Sequence, residues 1–396
     1  VGGVARQPLR PFGAEIYGGY DLSDGEFPIY QDQFFTNDRG KLKAGVLFSL
    51  LRDREIDERR FNEFDAQLNL GQARLELLLT KIGVQQQALR AYWRWVMAGG
   101  QLRVFKDLLR IALERQKALE QQVARGARAE IFLVENQQNI TRRQSRTAQA
   151  ERELELAANA LSYFYRDENG APKLVEASRM PRNMSSDDSD ALSTPTEVAV
   201  SDAILRRPEL AILETAIERA RLKVDLSENE LKPRLDLRFE VTDALGDIAE
   251  GGPSRDSTDT IVGFEFSVPL QRRAAKGEIV QAQSEIDIQR AKRQLKEEAI
   301  ELEVRNILLQ FRYARELLDL AEAEVEQSEI MRRSEIRRFE SGASDFFLVN
   351  IRENQAADAR VRLLEAELQA RLARADYDAA VVDLARLGIT EINSLP

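Results

Sequence analysis

Carboxylates are the side chains in this sequence best supplied for chemistry. The 396 residues include 67 Asp and Glu but no His and no Cys. Thiolate or imidazole metal sites, thiol nucleophiles and histidine general bases are therefore excluded. A carboxylate pair of the glycosidase kind remains conceivable, but it needs two acids held across a pocket at a set separation. Nothing in the sequence places two acids that way. The charged runs Glu151 to Glu155 and Lys296 to Glu303 read as solvated helix faces. No G-x-x-x-x-G-K-[ST] loop is present, so no nucleotide site is expected. No catalytic residue, metal ligand or cofactor is expected, and Trp93 and Trp95 read as packing residues.

The bulk composition narrows the class further. Hydrophobic residues make up 43% and charged residues 31%, with few aromatics and few prolines. That balance suits long amphipathic helices better than a compact mixed domain. The net charge of −10, without a basic stripe, argues against nucleic acid as a partner. No run of about 18 apolar residues occurs, so no transmembrane helix is expected. A membrane β-barrel stays open, because its strands carry a much weaker signal. The chain opens at Val1 with neither initiator Met nor signal peptide, and is expected to be part of something longer.

The elements that would position any function come in duplicate. Ala44-Gly45-Val46-Leu47-Phe48-Ser49-Leu50 matches Val262-Gly263-Phe264-Glu265-Phe266-Ser267-Val268, and the stretch from Gly126 to Val134 matches that from Gly342 to Val349. Both pairs sit at an offset of roughly 215–218 residues, with Trp93 and Trp95 opposite Phe311 and Tyr313. Each copy reads strand, loop, strand, very long helix, tight turn, long helix. Ala14, Ile16, Gly18, Tyr20 and Leu22 mark the first strand (13–22), and Leu42, Ala44, Val46, Phe48 and Leu50 mark its partner. In the second copy Leu235, Leu237, Phe239 and Val241 alternate with Asp236, Arg238, Glu240 and Thr242. Phe264, Phe266 and Val268 alternate with Gly263, Glu265 and Ser267. At nine or ten residues, such strands can cross a tilted bilayer path. The connections 23–40 and 243–260 read as exposed loops.

Two helical runs without Pro follow, 53–124 and 276–341, each long enough for roughly 100 Å at 1.5 Å per residue. Gly99-Gly100 predicts a kink or break in the first. Gly126 and Gly342 mark turns, after which helices return over 129–165 and 345–387. Ala357, Val361, Leu364, Leu368 and Leu372 give the spacing of an antiparallel coiled coil. Residues 169–196 read as an irregular linker, and Pro208 opens a helix running to about Lys232. The resulting division is a first repeat over 1–165, with β-hairpin 13–50 and helical hairpin 53–165. A linker covers 166–200. A second repeat covers 201–390, with helix 201–232, β-hairpin 233–270 and helical hairpin 276–388. The first copy has only Val1 to Phe12 where the second has a leading helix, so a helix is expected to be missing there.

Two blander architectures compete. The strands could belong to a soluble β-sandwich, or the helices to a coiled-coil tether of the envelope without a pore. Few strands among so much helix argue against the first. A tether has no use for outward-facing Phe239, Phe264 and Phe266, which argues against the second.

Taken in order, Arg207-Pro208-Glu209-Leu210, Lys232-Pro233-Arg234-Leu235-Asp236-Leu237, Val262 to Leu270 with Pro269, and the turns at Gly126 and Gly342 resemble the TolC family of outer-membrane efflux channels. The resemblance implies a mainly α fold with a β-barrel part. In it a homotrimer shares one 12-stranded barrel in the outer membrane of a Gram-negative bacterium and a long periplasmic α-helical barrel. It implies passive export, with a periplasmic adaptor protein and an inner-membrane pump as partners. Leu237, Phe239, Val241, Phe264, Phe266 and Val268 would face outer-membrane lipid, and Arg238, Glu240, Glu265 and Ser267 the lumen. The periplasmic tip, where an adaptor would dock, would involve Gly126, Arg128, Glu130, Gly342, Ser344 and Asp345. The family often carries an Asp six residues beyond each turn glycine. Here Phe132 and Leu348 stand at those positions, which suggests a hydrophobic constriction that gates by dewetting.

Overall fold

The computed structural model describes residues 1–22, 37–181, 194–247 and 258–389. The expected loops 23–40 and 243–260, and the linker, lie partly outside these residues, as does the end of the second repeat beyond 389. The chain forms two compact units, one built from 1–74 and 211–294, the other from 75–210 and 295–396. Each unit draws on both repeats.

The first unit is organised by an antiparallel sheet of β1 (Gly2–Pro8), β2 (Glu15–Asp21), β3 (Lys41–Ser49), β4 (Arg234–Ala244) and β5 (Asp259–Ser267), in that spatial order. The β2–β3 and β4–β5 hairpins are the two expected ones, and β3 pairs with β4 to join the repeats. The register keeps the alternation in phase across strands. Ile16 lies opposite Val46, Val46 opposite Phe239, and Phe239 opposite Val262. A one-residue slip in any pair would mix the faces, so the pattern itself fixes the register. The sheet has one strand more than the two expected hairpins supply. Gly2 and Gly3 weaken the period in β1, and Pro8 reads as a strand stop, which is why Val1 to Phe12 showed no strand signal. The first expected strand starts at Glu15, because Pro11–Gly13 form a 3₁₀ turn with Gly13 at φ +57.

At the corner between β3 and the following helix, Asp53 adopts φ 65. The left-handed region is open to Asp when its polar side chain is held locally. Asn229 holds it. Its amide donates to Asp53 Oδ1 at 2.8 Å and its Oδ1 accepts from the Asp53 amide at 2.9 Å.

The helices are α1 (Glu58–Ala124), α2 (Ile131–Ser162), α3 (Thr196–Arg206), α4 (Pro208–Glu230), α5 (Arg273–Glu340) and α6 (Phe346–Ala380). None is long and apolar enough, among the described residues, to cross a membrane. The break expected at Gly99-Gly100 does not occur, since α1 runs unbroken through it. The glycines serve packing. A Cβ on Gly99 would come within 2.1 Å of Met180 Sδ, and one on Gly100 within 2.8 Å of Leu364 Cδ2. Met180 and Leu364 belong to a cluster around buried Trp95, Val96 and Leu161. The helix expected over 201–232 is two helices, separated at Arg207, whose extended backbone is the conformation a following proline imposes. Residues 196–200, read as linker, open the first of them. Ala199, Val200 and Ala203 bury it against Ile300, Val304 and Phe311 of α5 and Tyr377 of α6. The helix expected to reach Leu387 ends at Ala380, where the chain folds back. Leu387 is then buried with Ile82, Ala379 and Val382.

Candidate functional site

Two places in the molecule concentrate the residues singled out by sequence. The first is the sheet, whose faces are inverted relative to a soluble protein. Phe264 is 70% exposed and Phe266 63%, with Phe239, Val262, Val268, Ile16 and Leu42 also exposed. On the opposite face Asp236 is 1% exposed and Glu240 5%, beside buried Thr242 and Ser49. Leu237 pairs with Phe264, and Val241 with Thr260, on the apolar face. Arg238 pairs with Gly263, and Glu265 with Asp236, on the polar face. Ser267 pairs with Arg234 on that same side and is exposed.

The polar face curves around a groove whose lining includes Glu15, Tyr17, Lys43, Arg238, Glu240 and Glu265. Tyr17 donates to Glu240 Oε2 at 2.5 Å, and Arg238 Nε donates to the Tyr17 oxygen at 2.9 Å. Arg238 also pairs with Glu240, and Lys43 with Asp21 at 2.7 Å. Tyr17 reaches across β3 because Gly45 lies between. A Cβ there would stand 2.5 Å from Tyr17 Cζ. Tyr17, Lys43 and Asp21 were not among the residues picked from sequence. Their period-2 phase opposite Ile16 and Leu42 was the available signal, but the cross-strand bonds depend on register.

The second place is the pair of helix turns in the other unit. Gly126 and Gly342, at φ +73 and +77, close the same motif. Ala127 N–H donates to the Gln122 carbonyl and Gly126 N–H to that of Val123; Ala343 and Gly342 bond Arg338 and Phe339 in the same way. This is the glycine-ended Schellman turn. Beyond it the copies differ. Asp345 caps α6 by accepting from the Leu348 amide at 2.8 Å, whereas Glu130 makes no side-chain cap to α2. Ser344 hydrogen-bonds to Glu335. Arg128 places its guanidinium over the rings of Phe132, at 5.5 Å, and Phe339, at 5.0 Å. Phe132 packs edge-on against Phe346, which is 1% exposed. Leu348 and Phe347 are exposed, as are Ile131 and Val134 at the start of α2.

One turn further in lies a buried ion cluster that sequence reading missed. Glu353, 1% exposed, accepts from Arg143 at 2.8 Å and from both terminal nitrogens of Arg115. Arg143 also donates to the Leu108 carbonyl at 2.8 Å, and Arg115 lies over the Phe346 ring at 5.4 Å. Burial pushes the Glu353 carboxyl up, but the hydrogen bonds and charges of Arg115 and Arg143 outweigh it and hold the group below the ordinary carboxylate range. Burial pulls the Arg143 guanidinium down, and Glu353 partly offsets it. In sequence these are three scattered charges among 31% charged residues, on different helices.

Residues 199–387 match the family model described as outer membrane efflux protein. The matched segment runs from α3 to just beyond α6, and so includes β4 and β5 of the sheet and the Gly342 turn. Solved structures agree over a wider span. A membrane protein from Pseudomonas aeruginosa is similar with a TM-score of 0.66 at 14% identity, covering 96% of this chain and 83% of that one. The Campylobacter jejuni CmeC outer membrane channel gives 0.64 at 15%, covering 96% and 76%. The Neisseria gonorrhoeae MtrE outer membrane channel, in its open state, gives 0.65 at 15%, covering 96% and 80%. At such identities the likeness is one of fold. No curated protein matches the chain in sequence. The fold shared with these solved structures thus extends over the first repeat, which lies wholly outside the matched segment.

Proposed function

We propose that the chain is one protomer of a passive trimeric export channel of the outer membrane. The observation that carries this reading is the inverted sheet. Buried Asp236, Glu240 and Thr242 back onto exposed Phe239, Phe264 and Phe266 in one continuous register. A sheet with apolar side chains outward and hydrogen-bonded charges inward suits lipid on one side and water on the other. Five strands leave two open edges, and an open edge has no place in hydrocarbon. Cyclic association of copies removes the edges and leaves a central pore. The matched family and the neighbouring channels support the same reading.

In this reading the helical turns form the periplasmic tip, where an adaptor protein docks and links to an inner-membrane pump. Exposed Ile131, Val134, Phe347 and Leu348 beside the turns give such a partner apolar footing. Energy comes from the pump, and the channel supplies a wet path. Phe132 and Leu348 narrow the tip. A Phe132→Ser, Leu348→Ser double variant should raise closed-state conductance in planar bilayers; an unchanged conductance sinks the constriction.

The channel itself is tested by native mass after detergent extraction from outer membranes. Three copies of the 45.0 kDa chain are expected. A monomer that stays in solution without detergent overturns the barrel and favours the pore-less coiled-coil tether.

A further inference from the structure

The order of the sheet raises a conflict at one edge. Closure of a barrel between copies needs two edges that suit lipid on the same face. β5 offers Val262, Phe264 and Phe266 on that face, and its outer edge has no strand beside it among the described residues. At the other edge stands β1, and it fits lipid poorly. Its residues on the apolar side are Gly3, Ala5 and Gln7, opposite Tyr20, Gly18 and Ile16 of β2. The large apolar side chain of β1, Val4, falls on the polar side, with Arg6. The strand after it is different: β2 turns Ile16 and Tyr20 outward and sends Tyr17 inward to Glu240. The lipid-adapted sheet therefore runs from β2 to β5, and β1 lies outside it.

We propose that β1 is a removable guard strand, which occupies in the single protomer the β2 edge that β5 of a second copy takes when the barrel closes. This rests on the trimeric-channel reading above. The guard is held by backbone pairing over seven residues and by an exposed ion pair, Arg6 to Glu15 at 3.0 Å. Exposed pairs of this kind add little, so exchange of one antiparallel partner for another replaces like bonds by like. What tips the exchange is side-chain fit: a second copy's β5 brings Val262, Phe264 and Phe266 alongside Ile16 and Tyr20, where β1 brings Gly3, Ala5 and Gln7. In water the guard blunts an edge that would otherwise pair indiscriminately.

The absence of cysteine makes a clean test possible. Ala5 and Gly18 are directly paired, and a Cβ at Gly18 meets nothing nearer than the Lys43 carbonyl at 3.9 Å. Opposed antiparallel residues lie within the Cα separation a disulfide spans. The full chain carrying Ala5→Cys and Gly18→Cys should trimerise in lipid-containing micelles when reduced. Oxidised, it should lose the trimer and regain it on reduction. Each single variant should trimerise under oxidant as the unmodified chain does. A second variant lacking residues 2–8 should keep the trimer. An oxidised double variant that trimerises as fully as the reduced one overturns the proposal, because β1 would then be a barrel strand; loss of the trimer on deleting 2–8 does the same. An unmodified chain that stays monomeric removes the channel reading itself, which is a different result from a block confined to the locked form.

Discussion

The sheet and the helical unit bury opposite things. In the sheet, carboxylates and hydroxyls are hidden and phenylalanines are bare. In the helical unit Ile300, Val304, Trp95 and Phe346 are hidden, and the buried acid Glu353 is an exception held by Arg115 and Arg143. The difference teaches that burial has no fixed polarity. An element hides whichever face its surroundings dissolve least well, and the sequence period reports two faces without saying which one faces in.

Experiments can break this contrast at graded points. The largest effect is expected where the helical unit departs from its own rule. Glu353→Gln leaves buried Arg143 without its countercharge and should cost about 3–5 kcal/mol, read by thermal melting of the helical signal in detergent. The pH dependence has the matching sign. A carboxyl held below its ordinary value of 4.5 adds stability that is present above that pH and lost as pH falls through its folded value, so Glu353 should contribute to acid melting below about pH 4.5, and Glu353→Gln should lose that contribution. A variant with acid sensitivity unchanged would remove Glu353 from that role.

Next comes the sheet's outer face. Phe264→Arg should destabilise the inserted protein by about 2–4 kcal/mol in lipid, measured by urea unfolding from vesicles, because a guanidinium then meets hydrocarbon. A neutral result would mean that this face is wet. The inner face should be sensitive to shape as well as charge. Gly45→Val pushes into Tyr17 and the Phe239 carbonyl, and should cost about 1–3 kcal/mol in the same assay while lowering detergent resistance of the oligomer. The smallest effect separates the two turns. Asp345→Ala removes a cap and should cost about 0.5–2 kcal/mol, whereas Glu130→Ala should change the melting within about 0.5 kcal/mol, as a side chain without a capping bond. Equal effects would erase the asymmetry between copies.

Much of this architecture could be read before any coordinates. The two β-hairpins, the long helices and both glycine turns follow from period and from the residues that interrupt it, because those signals are local. What stayed hidden depends on contacts across the chain. Gly99-Gly100 looks like a helix breaker until Met180 and Leu364 arrive from distant segments to fill the notch. β1 has almost no period of its own and exists by pairing with β2. The Tyr17–Glu240 bond joins residues from different repeats, and the Glu353 cluster joins three helices. Thr196 to Val200 looked like linker because the apolar stripe of α3 is short and starts beside Pro195.

The bare aromatic face of the sheet also sets conditions on the molecule's early life. If the sheet inserts as proposed, Phe239, Phe264 and Phe266 stand in water between synthesis and insertion, where a contiguous apolar patch is an aggregation hazard. Each such ring contributes roughly 1.5–3 kcal/mol toward leaving water, with no preference for bilayer over a neighbouring copy. Yield of inserted protein should therefore fall with expression rate as copies meet in transit, and co-expression of a holdase that coats the face should restore it.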